Sequence, residues 1–367
     1  MKLAGGRGHL TYCTNIHPGE RWAEHFAAIA RSLPAVKRRV APDAPFGVGL
    51  RLSADAAADL AEPAAMAAFK EFLAAEGLYV FTLNGFPYGA FHGTRVKDAV
   101  YRPDWSTPER LAYTTLLADL LAELLPDGMT GSISTVPCGW AGHGRLGDAM
   151  IANLRAADHH LDTLFRRTGR RIALALEPEP GCLLDATADA VPLFRRLGGP
   201  RHLGLCLDLC HLAVGFEEPA EALALLRAAG IPVHKLQLSA GLRLSPRDAE
   251  ALAPFDDGVY LHQVAARTGA GLRRYSDLAD ALACADGRTA EEWRVHFHVP
   301  LWSERLGRMA STAGVTARML ELHAARPVCG HLEVETYTWD VLPREHRGRD
   351  LNDDIARELL WVLERLG

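Results

Sequence analysis

Polar side chains close four apolar runs of the sequence. The runs are "RIALALEPE" (171–179), "LGLCLDL" (203–209), "HKLQLS" (234–239) and "HLEVET" (331–336), and the polar residues near their ends are Glu177, Asp208, Gln237 and Glu335. Successive side chains of a strand point to opposite faces, so each of these four residues lies opposite the leucines and valines of its own run. We therefore expect three carboxylates and one amide on the non-aliphatic face of four strands.

If these strand ends meet, the carboxylates repel one another and lose the solvation that ionised groups need. A bound divalent cation relieves both difficulties, and oxygen-rich ligand sets suit Mn²⁺, Mg²⁺ or similar ions. The pattern therefore predicts a metal site formed by Glu177, Asp208, Gln237 and Glu335. The alternative for any one of the carboxylates is an interior salt bridge, for example with Lys235.

Histidines supply further candidates. His296 and His298, in "RVHFHVPL", share one face of an apolar stretch,. His298 is predicted as an additional metal ligand, and a proton carrier or a hydrogen-bonded strand pair are the alternatives. His262, in "YLHQVAAR", is a weaker candidate for contact with substrate. Glu179 is flanked by prolines and is expected at the rim of the site, with a solvated loop charge as the alternative.

Two segments nearer the N-terminus are expected to contact substrate. Asn15 follows the first apolar run and is expected to line the pocket. The loop "NGFPYGAFHG" (84–93) follows the third run, and its aromatic residues, Tyr88 among them, are expected to stack on a substrate. Their alternative role is to anchor the loop.

Short apolar runs alternate with Ala- and Leu-rich stretches along the chain, which predicts a parallel sheet covered by helices. Candidate strands are 9–15, 46–52, 79–85, 131–137, 171–179, 203–209, 234–239, 294–300 and 331–336. Candidate helices are 21–33, 55–76, 107–125, 145–168, 187–197, 217–229, 312–325 and 351–366. An open dinucleotide-binding sheet should carry G-x-G-x-x-G after its first strand, and "TYCTNIHPGERW" does not,. Polar residues at the C-terminal ends of most strands instead favour a (β/α)8 TIM barrel.

Nine candidate strands exceed the eight that a barrel needs. The excess falls in 244–300, which we interpret as an insertion after the seventh strand, folded as a lid over the C-terminal mouth. The whole chain, 1–367, is then a single barrel domain.

The bulk composition excludes several function classes. The formal net charge is −5, which argues against nucleic acid as a partner,. The N-terminus lacks a secretion signal, and no stretch is long and apolar enough to span a membrane,. The seven cysteines are odd in number and form no C-x-x-C pair, so reduced thiols in a cytoplasmic protein are expected,.

The motifs resemble those of the xylose-isomerase-like TIM barrels, which include sugar isomerases and ketose 3-epimerases. "LALEPEPG" (174–181), "LCLDLCHLAVGFEEP" (205–219), "VHKLQLSAGLR" (233–243) and "GHLEVETY" (330–337) carry this resemblance. It implies one divalent metal ion (Mn, Mg, Zn or Fe) on Glu177, Asp208, Gln237 and Glu335. It also implies that Glu177 and Glu335 act as bases, while His211 and Arg243 bind substrate oxygens. Gln237 departs from the His of the epimerases.

A closer resemblance involves both termini and the insertion. "LTYCTNIHPGERW" (10–22), "HFHVPLW" (296–302) and "HLEVETYTWDVLP" (331–343) resemble the EboE-type TIM-barrel proteins of the ebo/edb metabolite-traffic gene clusters. This resemblance implies a role in processing or transporting a secondary metabolite, with possible partners from the same cluster. It does not define a reaction.

These observations favour a metal-dependent isomerase or epimerase that acts on a small polyol or α-hydroxycarbonyl metabolite. Proton transfer through a metal-bound enediolate is the expected chemistry. The alternatives are a non-enzymatic protein that binds and hands on a metabolite, and an iron-dependent oxidase on the same barrel. A DNA-processing endonuclease of this fold is disfavoured by the charge.

Overall fold

Eight short, largely buried strands form a parallel sheet that curves into a barrel. The structure is a computed structural model, and it describes residues 1–91, 96–256, 258–284 and 289–367. The barrel strands are β1 (His9–Tyr12), β2 (Phe46–Arg51), β3 (Leu78–Asn84), β4 (Gly131–Thr135), β5 (Ile172–Leu176), β6 (Leu203–Asp208), β7 (Val233–Leu238) and β14 (His331–Val334). Their order in the sheet is β1-β14-β7-β6-β5-β4-β3-β2. The predicted (β/α)8 barrel is confirmed.

The barrel closes between its first two strands. β1 meets β2 through an isolated parallel bridge between Cys13 and Gly49. The register of β2 against β3 shifts between Val48 and Gly49, so the strand is irregular at the same point. A Cβ atom at Gly49 would lie 2.3 Å from Oε2 of Glu333 and 2.7 Å from the carbonyl oxygen of Tyr12. The absence of a side chain at Gly49 therefore allows the close approach at this seam.

Helices cover the outside of the barrel. They are α1 (Trp22–Val40), α2 (Ala54–Leu60), α3 (Pro63–Glu76), α4 (Pro108–Leu124), α5 (Asp148–Thr168), α6 (Ala190–Leu197), α7 (Leu209–Val214), α8 (Pro219–Ala229), α10 (Ala313–Ala325) and α11 (Leu351–Leu366), with α9 (Leu278–Ala283) in the insertion. Among the described helices, none is long and apolar enough to cross a membrane.

Two helix boundaries differ from the sequence prediction. The helix expected to end at residue 33 continues through Pro34 to Val40, because Leu33, Pro34 and Val36 are all buried on one face against the barrel. The helix expected over 55–76 is two helices, since Pro63 begins a new one at its first turn, where a missing N–H costs no hydrogen bond,.

The segment between β7 and β14 forms a second, antiparallel sheet before it returns to the barrel. Its strands are β8 (Leu242–Leu244), β9 (Val264–Thr268), β10 (Gly271–Tyr275), β11 (Glu292–Val295), β12 (Arg305–Leu306) and β13 (Met309–Ser311), in the order β10-β9-β11-β8-β13-β12. The strand expected over 294–300 is therefore shorter, and it belongs to this insertion. His296 and His298 follow it in an extended segment whose Val299 N–H donates to the carbonyl of Ala240.

Polar side chains fill the interior of the barrel. Nζ of Lys235 on β7 lies 3.1 Å from Oε1 of Glu333 and 3.3 Å from Oγ of Ser134, on the opposite wall. Lys235 and Glu333 have no solvent exposure. The alternation of side chains thus places the polar residues of β7 and β14 inward, as the sequence predicts. The positive charge of Lys235 neutralises Glu333 inside the barrel and does not neutralise a carboxylate at the mouth.

Candidate active site

Three carboxylates meet where β5, β6 and β14 end. Glu177 follows β5, Asp208 is the last residue of β6, and Glu335 follows β14. The main-chain N–H groups of Glu177 and Glu335 still donate to the neighbouring strands, at Thr135 and Leu238. The backbone ladder therefore holds both residues in register, and one oxygen from each of the three carboxylates lies within 4.8 Å of the others.

Asp208 has a second structural role, because it is also the N-cap of α7. Its Oδ1 accepts from the N–H of His211 at 2.9 Å and from Oγ of Ser239 at 2.7 Å. The same turn that caps the helix carries His211 to the cavity, which explains why a His three residues after the Asp reaches the site. The other oxygen of Asp208, Oδ2, faces the Nε2 of His298 at 3.9 Å.

Burial and mutual repulsion dominate the electrostatics of the carboxylates. Removal from water, followed by the nearby negative charges of Glu335 and Asp208, raises the pKa of Glu177 well above its usual value. The same two effects raise the pKa of Glu335 to about 7, although amide groups donate to its oxygens. Oε1 of Glu335 accepts from Nδ2 of Asn15 at 2.5 Å and from Nδ2 of Asn84 at 3.2 Å.

The donor atoms of this cluster fit a divalent cation. Oε2 of Glu177, Oδ2 of Asp208 and Nε2 of His298 are buried, and none of them has a hydrogen-bond partner among the described residues. Within the same part of the chain, neither Glu177, Asp208 nor Glu335 pairs with a Lys or an Arg. Buried carboxylates without a cationic partner are costly, and a metal ion supplies both the missing charge and contacts for the oxygens that have no hydrogen bond.

Three histidines continue the wall of the site beside the carboxylates. Nδ1 of His211 lies 3.1 Å from the carbonyl oxygen of Pro178, and Nδ1 of His298 lies 2.9 Å from the carbonyl oxygen of Glu335. A carbonyl only accepts, so each Nδ1 carries the hydrogen and each Nε2 faces the cavity. Burial lowers the pKa of His298 to about 4 and that of His296 well below its usual value.

Glu179 joins the barrel to the insertion. Its Oε1 accepts from the Tyr101 hydroxyl at 2.6 Å and from Nε2 of Gln263 at 3.0 Å. The same Nε2 of Gln263 also contacts the Tyr101 oxygen, at 2.8 Å. Glu179 is only 4% exposed, so its alternative interpretation as a solvated loop charge is wrong.

The carboxylates and histidines open into a cavity of about 560 Å³, which includes its open mouth. Its polar wall consists of Asn15, Asn84, Lys97, Glu177, Glu179, His211, His296, His298 and Glu335. The remaining wall is aromatic and apolar, with Phe86, Phe91, Val96, Val100, Tyr101, Tyr260, Leu261 and Tyr337 among its residues. One polar and one aromatic wall suit a small polyhydroxylated or hydroxycarbonyl ligand whose ring or carbon chain can lie against the aromatic side.

Two predicted substrate-binding residues lie elsewhere. Arg243 is exposed on β8, opposite Arg294 and Ala310 of the insertion sheet, and it lines a separate surface groove. The chain leaves the barrel between Gln237 and Arg243, which corrects the expectation that Arg243 binds substrate. Tyr88 packs edge-on against Tyr113 and is not one of the described residues that line the cavity. This contact fits the alternative role, in which Tyr88 anchors the loop. Residues 92 and 93 of the same loop lie outside the described residues.

Gln237 and His262 are buried close to the site without lining the cavity. Gln237 hydrogen-bonds Glu335, lies 3.4 Å from Oε1 of Glu333, and has an Oε1 atom without a described partner. That free oxygen keeps Gln237 available to a metal. His262 lies behind His296, with its Nδ1 3.1 Å from the carbonyl oxygen of His296, so it supports the wall rather than the substrate.

The sequence prediction did not include three residues of this site. The sequence indicates that His296 shares the face of His298, with a ligand, a proton carrier or a hydrogen-bonded pair as the alternatives, but it predicts only His298 as a site residue and does not indicate Tyr101 or Gln263. The signal for His296 was present in the alternation of "RVHFHVPL",. No local pattern marks Tyr101 or Gln263, because their partners are distant in sequence. Cys210 lies in a donor group with His296 and His298.

Comparison with known proteins supports the fold. No family model and no curated protein matches the chain. Among solved structures, D-allulose 3-epimerase from Methylomonas sp. is similar over 98% of this chain and 97% of that chain, with 14% identity and a TM-score of 0.51. A xylose isomerase domain protein from Planctomyces limnophilus is similar over 98% and 96%, with 13% identity and a TM-score of 0.51.

A third similar structure is the IOLI protein with a bound zinc atom. It is similar over 98% of this chain and 97% of that chain, with 10% identity and a TM-score of 0.51. At such identities the likeness concerns the fold alone. The fold is therefore similar to that of these TIM barrels, and the chemistry must be argued from this chain's own residues,.

Proposed function

We propose that this protein is a divalent-metal-dependent isomerase or epimerase that moves a proton at a carbon next to the carbonyl of a sugar-like metabolite. The observation that carries this proposal is the meeting of Glu177, Asp208 and Glu335 within 4.8 Å, with Glu177 and Glu335 both reaching the cavity. A sugar epimerase and a xylose isomerase domain protein among the similar structures support the same class of enzyme.

The residues that would hold the metal are Glu177, Asp208 and Glu335, with Gln237 and His298 as further donors. When bound, the ion supplies a Lewis acid that polarises the carbonyl of the substrate. The zinc atom in one similar structure is consistent with an ion on this fold, and we propose Mn, Mg, Zn or Fe as the metal of this chain.

Glu177 and Glu335 are the proposed proton carriers. They reach the cavity from β5 and β14, which are separated by β6 and β7 in the barrel wall, so they approach a ligand from different directions. In the metal-free protein, burial and the neighbouring Asp208 raise the pKa of Glu335 to about 7, so its carboxyl can hold a proton near neutral pH before a metal binds,. His211, whose Nδ1 lies 4.0 Å from Oε1 of Glu177, is proposed to orient a substrate oxygen, with Asn15 and Glu179 as further contacts.

We propose a polyol or an α-hydroxycarbonyl compound as the substrate. We further propose that the reaction serves the processing or traffic of a secondary metabolite in the cytoplasm, with partners encoded in the same gene cluster. The support for this role is the resemblance of residues 10–22, 296–302 and 331–343 to the EboE-type proteins.

The test is proton exchange with solvent. The protein, loaded with Mn²⁺ or Zn²⁺, is incubated in D₂O with a panel of ketoses and hydroxy ketones, and NMR records deuterium at the carbon beside the carbonyl. We expect exchange with the wild type and a loss of about 10²-fold or more for Glu177→Gln and Glu335→Gln. The exposed substitution Glu364→Gln is the matched control.

Two results would contradict the proposal. Exchange that survives in both active-site variants would show that these carboxylates do not move the proton. Ligand binding without exchange, for every compound of the panel, would favour the role of a metabolite-binding protein instead.

A further inference from the structure

One face of the insertion sheet carries a row of arginines. Arg294 on β11 lies directly opposite Arg243 on β8. Arg243 lies opposite Ala310 on β13, and Ala310 lies opposite Arg305 on β12. Residues that lie opposite each other on antiparallel strands share a face of the sheet. Three arginines therefore cross four neighbouring strands on one face, and Ala310 separates the second from the third.

Two arginines of this row have no partner of their own. Arg243 and Arg305 are exposed, and within the described part of the chain neither guanidinium has a hydrogen bond or an ion pair. Neighbouring strands are about 4.8 Å apart, so the Cα atoms of these two residues, which are two strands apart, are separated by about 10 Å. The short side chain of Ala310 leaves the space between them open. Like charges opposite each other also destabilise a sheet, so Arg243 beside Arg294 costs stability unless an anion binds.

Arg294 is held in place by its own chain. Its Nε donates to Oε1 of Glu292 at 2.7 Å, and its Nη1 donates to the carbonyl oxygen of Ala213 at 2.8 Å. The guanidinium carbon lies 4.0 Å from the centre of the Phe216 ring. A side chain that is already ordered loses little conformational entropy when a ligand binds beside it.

The three arginines line one surface groove of about 990 Å³, a volume that includes open solvent. The first turn of α10 forms the opposite rim, and Glu304 is the one carboxylate among the described residues of the lining. No described residue lines both this groove and the active-site cavity. The groove is therefore a separate, positively charged place on a chain whose formal net charge is −5.

We propose that this groove binds the phosphate group of a small soluble phosphomonoester, held between Arg243 and Arg305 with Arg294 behind it. The planar guanidinium group matches two phosphate oxygens at once. A phosphomonoester carries a charge of about −1.5 to −2 at pH 7, which suits two unpaired arginines better than the single charge of a carboxylate does. A concave groove bounded by a helix suits a small ligand better than a flat lipid surface. This site lies outside the proposed active site and does not depend on the proposed function.

The test is calorimetric titration of the metal-free, full-length protein with inorganic phosphate and with glycerol 3-phosphate. We expect one equivalent to bind, more weakly as NaCl is added. Arg243→Gln and Arg305→Gln should each weaken binding about 10-fold or more, because each removes a charged hydrogen-bond donor. Arg145→Gln makes the same charge change at an exposed position outside the groove and should leave binding unchanged.

Two further measurements separate a binding role from a structural role. Arg243→Lys keeps the charge and removes the fork of donors, so we expect it to weaken phosphate binding about 5-fold or more. In phosphate-free buffer of low ionic strength, Arg243→Gln should raise the Tm, because it removes the repulsion with Arg294. Added phosphate should then raise the Tm of the wild type more than that of the variant.

Several results would overturn this inference while leaving the proposed function intact. The first is the absence of binding of either probe at 10 mM, a concentration at which a site of roughly millimolar affinity is largely filled. Binding that persists in both glutamine variants would place the anion elsewhere, and equal weakening in Arg145→Gln would show a general effect of charge. Binding to phosphatidic acid vesicles without binding of the soluble probes would show that the ligand is a lipid surface.

Discussion

Burial gives Glu335 a protonation behaviour that a solvated glutamate does not have. Its carboxyl is removed from water and lies near Asp208, which raises its pKa to about 7. In an unfolded chain the same carboxyl has a pKa near 4.5. The folded, metal-free protein therefore keeps a proton that the unfolded chain releases, and stability depends on pH.

We expect the metal-free protein to lose stability as the pH rises from about 4.5 to about 7, because the unfolded state is then the form that gains from ionisation,. Glu335→Gln should flatten this dependence, although Glu177 keeps part of it. The stabilisation given by added Zn²⁺ should grow over the same window, since the ion neutralises the carboxylates. Urea unfolding at several pH values measures both effects, with Glu364→Gln as the control. A wild-type slope of opposite sign would contradict this account.

At the residue scale, the sequence predicts positions better than contacts. The alternation of β5, β6 and β14 suffices to place Glu177, Asp208 and Glu335 on one face. The role predicted for Arg243 depends on where the chain goes after β7, and there it enters another sheet. The orientation of His296 depends on Gln263, a residue 33 positions away. Such long-range contacts have no signature in one sequence.

At the scale of the elements, the seam between β1 and β2 leaves no room for an added side chain at Gly49. Gly49→Ala would place a methyl group against the Glu333 carboxylate and the main chain of Tyr12. We expect a loss of about 1–3 kcal/mol in the free energy of unfolding, as overpacking of cores usually costs.

The control is Gly314→Ala, near the start of α10, where an added Cβ would meet nothing within 4 Å. We expect that change to be neutral or to stabilise by up to about 1 kcal/mol, since alanine favours a helix. Denaturant unfolding compares the two variants. Equal stability of Gly49→Ala and wild type would mean that β1 can move away from β2 without cost.

α11 connects two of the segments that carry site residues. Glu358 is 1% exposed and accepts from the Leu301 N–H at 3.0 Å and from the Thr336 hydroxyl at 2.8 Å. Leu301 follows His298, and Thr336 follows Glu335, so this one side chain fixes both segments. Burial raises the pKa of Glu358 to about 8, which makes the neutral acid its form at pH 7.

We expect Glu358→Ala to lower the free energy of unfolding by about 1–3 kcal/mol and to weaken metal binding, because two buried donors lose their acceptor. Glu358→Gln keeps an accepting oxygen and no charge, so it should stay close to the wild type at pH 7. Thermal unfolding and zinc titration of the two variants test this. Equal losses in both would mean that the charge of Glu358, not its hydrogen bonds, matters.

The order of the elements could be predicted because buried strands and amphipathic helices alternate clearly along the chain. The boundaries could not. Proline normally ends a helix, yet Pro34 is retained inside α1 because its neighbours are buried, and the strand around His296 ends early because the chain turns back toward the barrel,. Tertiary packing decides where both elements end, and the local conformational preferences of the residues do not reveal that packing.

For the whole molecule, the candidate metal ligands lie on both the barrel and the insertion. Glu177, Asp208 and Glu335 belong to the barrel, while His296 and His298 belong to the segment after β11. An ion bound in this cavity would therefore have ligands from both the barrel and the insertion. Metal binding should therefore stabilise the molecule as one unit and not one sheet alone.

We expect a chelator to lower the Tm and Zn²⁺ to raise it. At a free Zn²⁺ concentration 100 times the Kd, the free energy of unfolding should increase by about 2.7 kcal/mol. Calorimetry should show a single transition that shifts as a whole. Asp208→Asn should lose most of the shift, since asparagine still caps α7 but removes a charged ligand,. Two transitions, of which only one responds to zinc, would show that the insertion unfolds independently.

The link from Glu179 through Gln263 to His296 constrains how such a chain can be recombined. An insertion exchanged for that of another barrel would bring its own histidine but not the carboxylate that orients it, since Glu179 belongs to the barrel. Conversely, this barrel combined with a foreign insertion would keep the Glu179 carboxylate but lose the Gln263 amide that binds it. Grafts between barrels of this shape should therefore retain folding more readily than metal affinity, unless positions 179, 263 and 296 are transferred together.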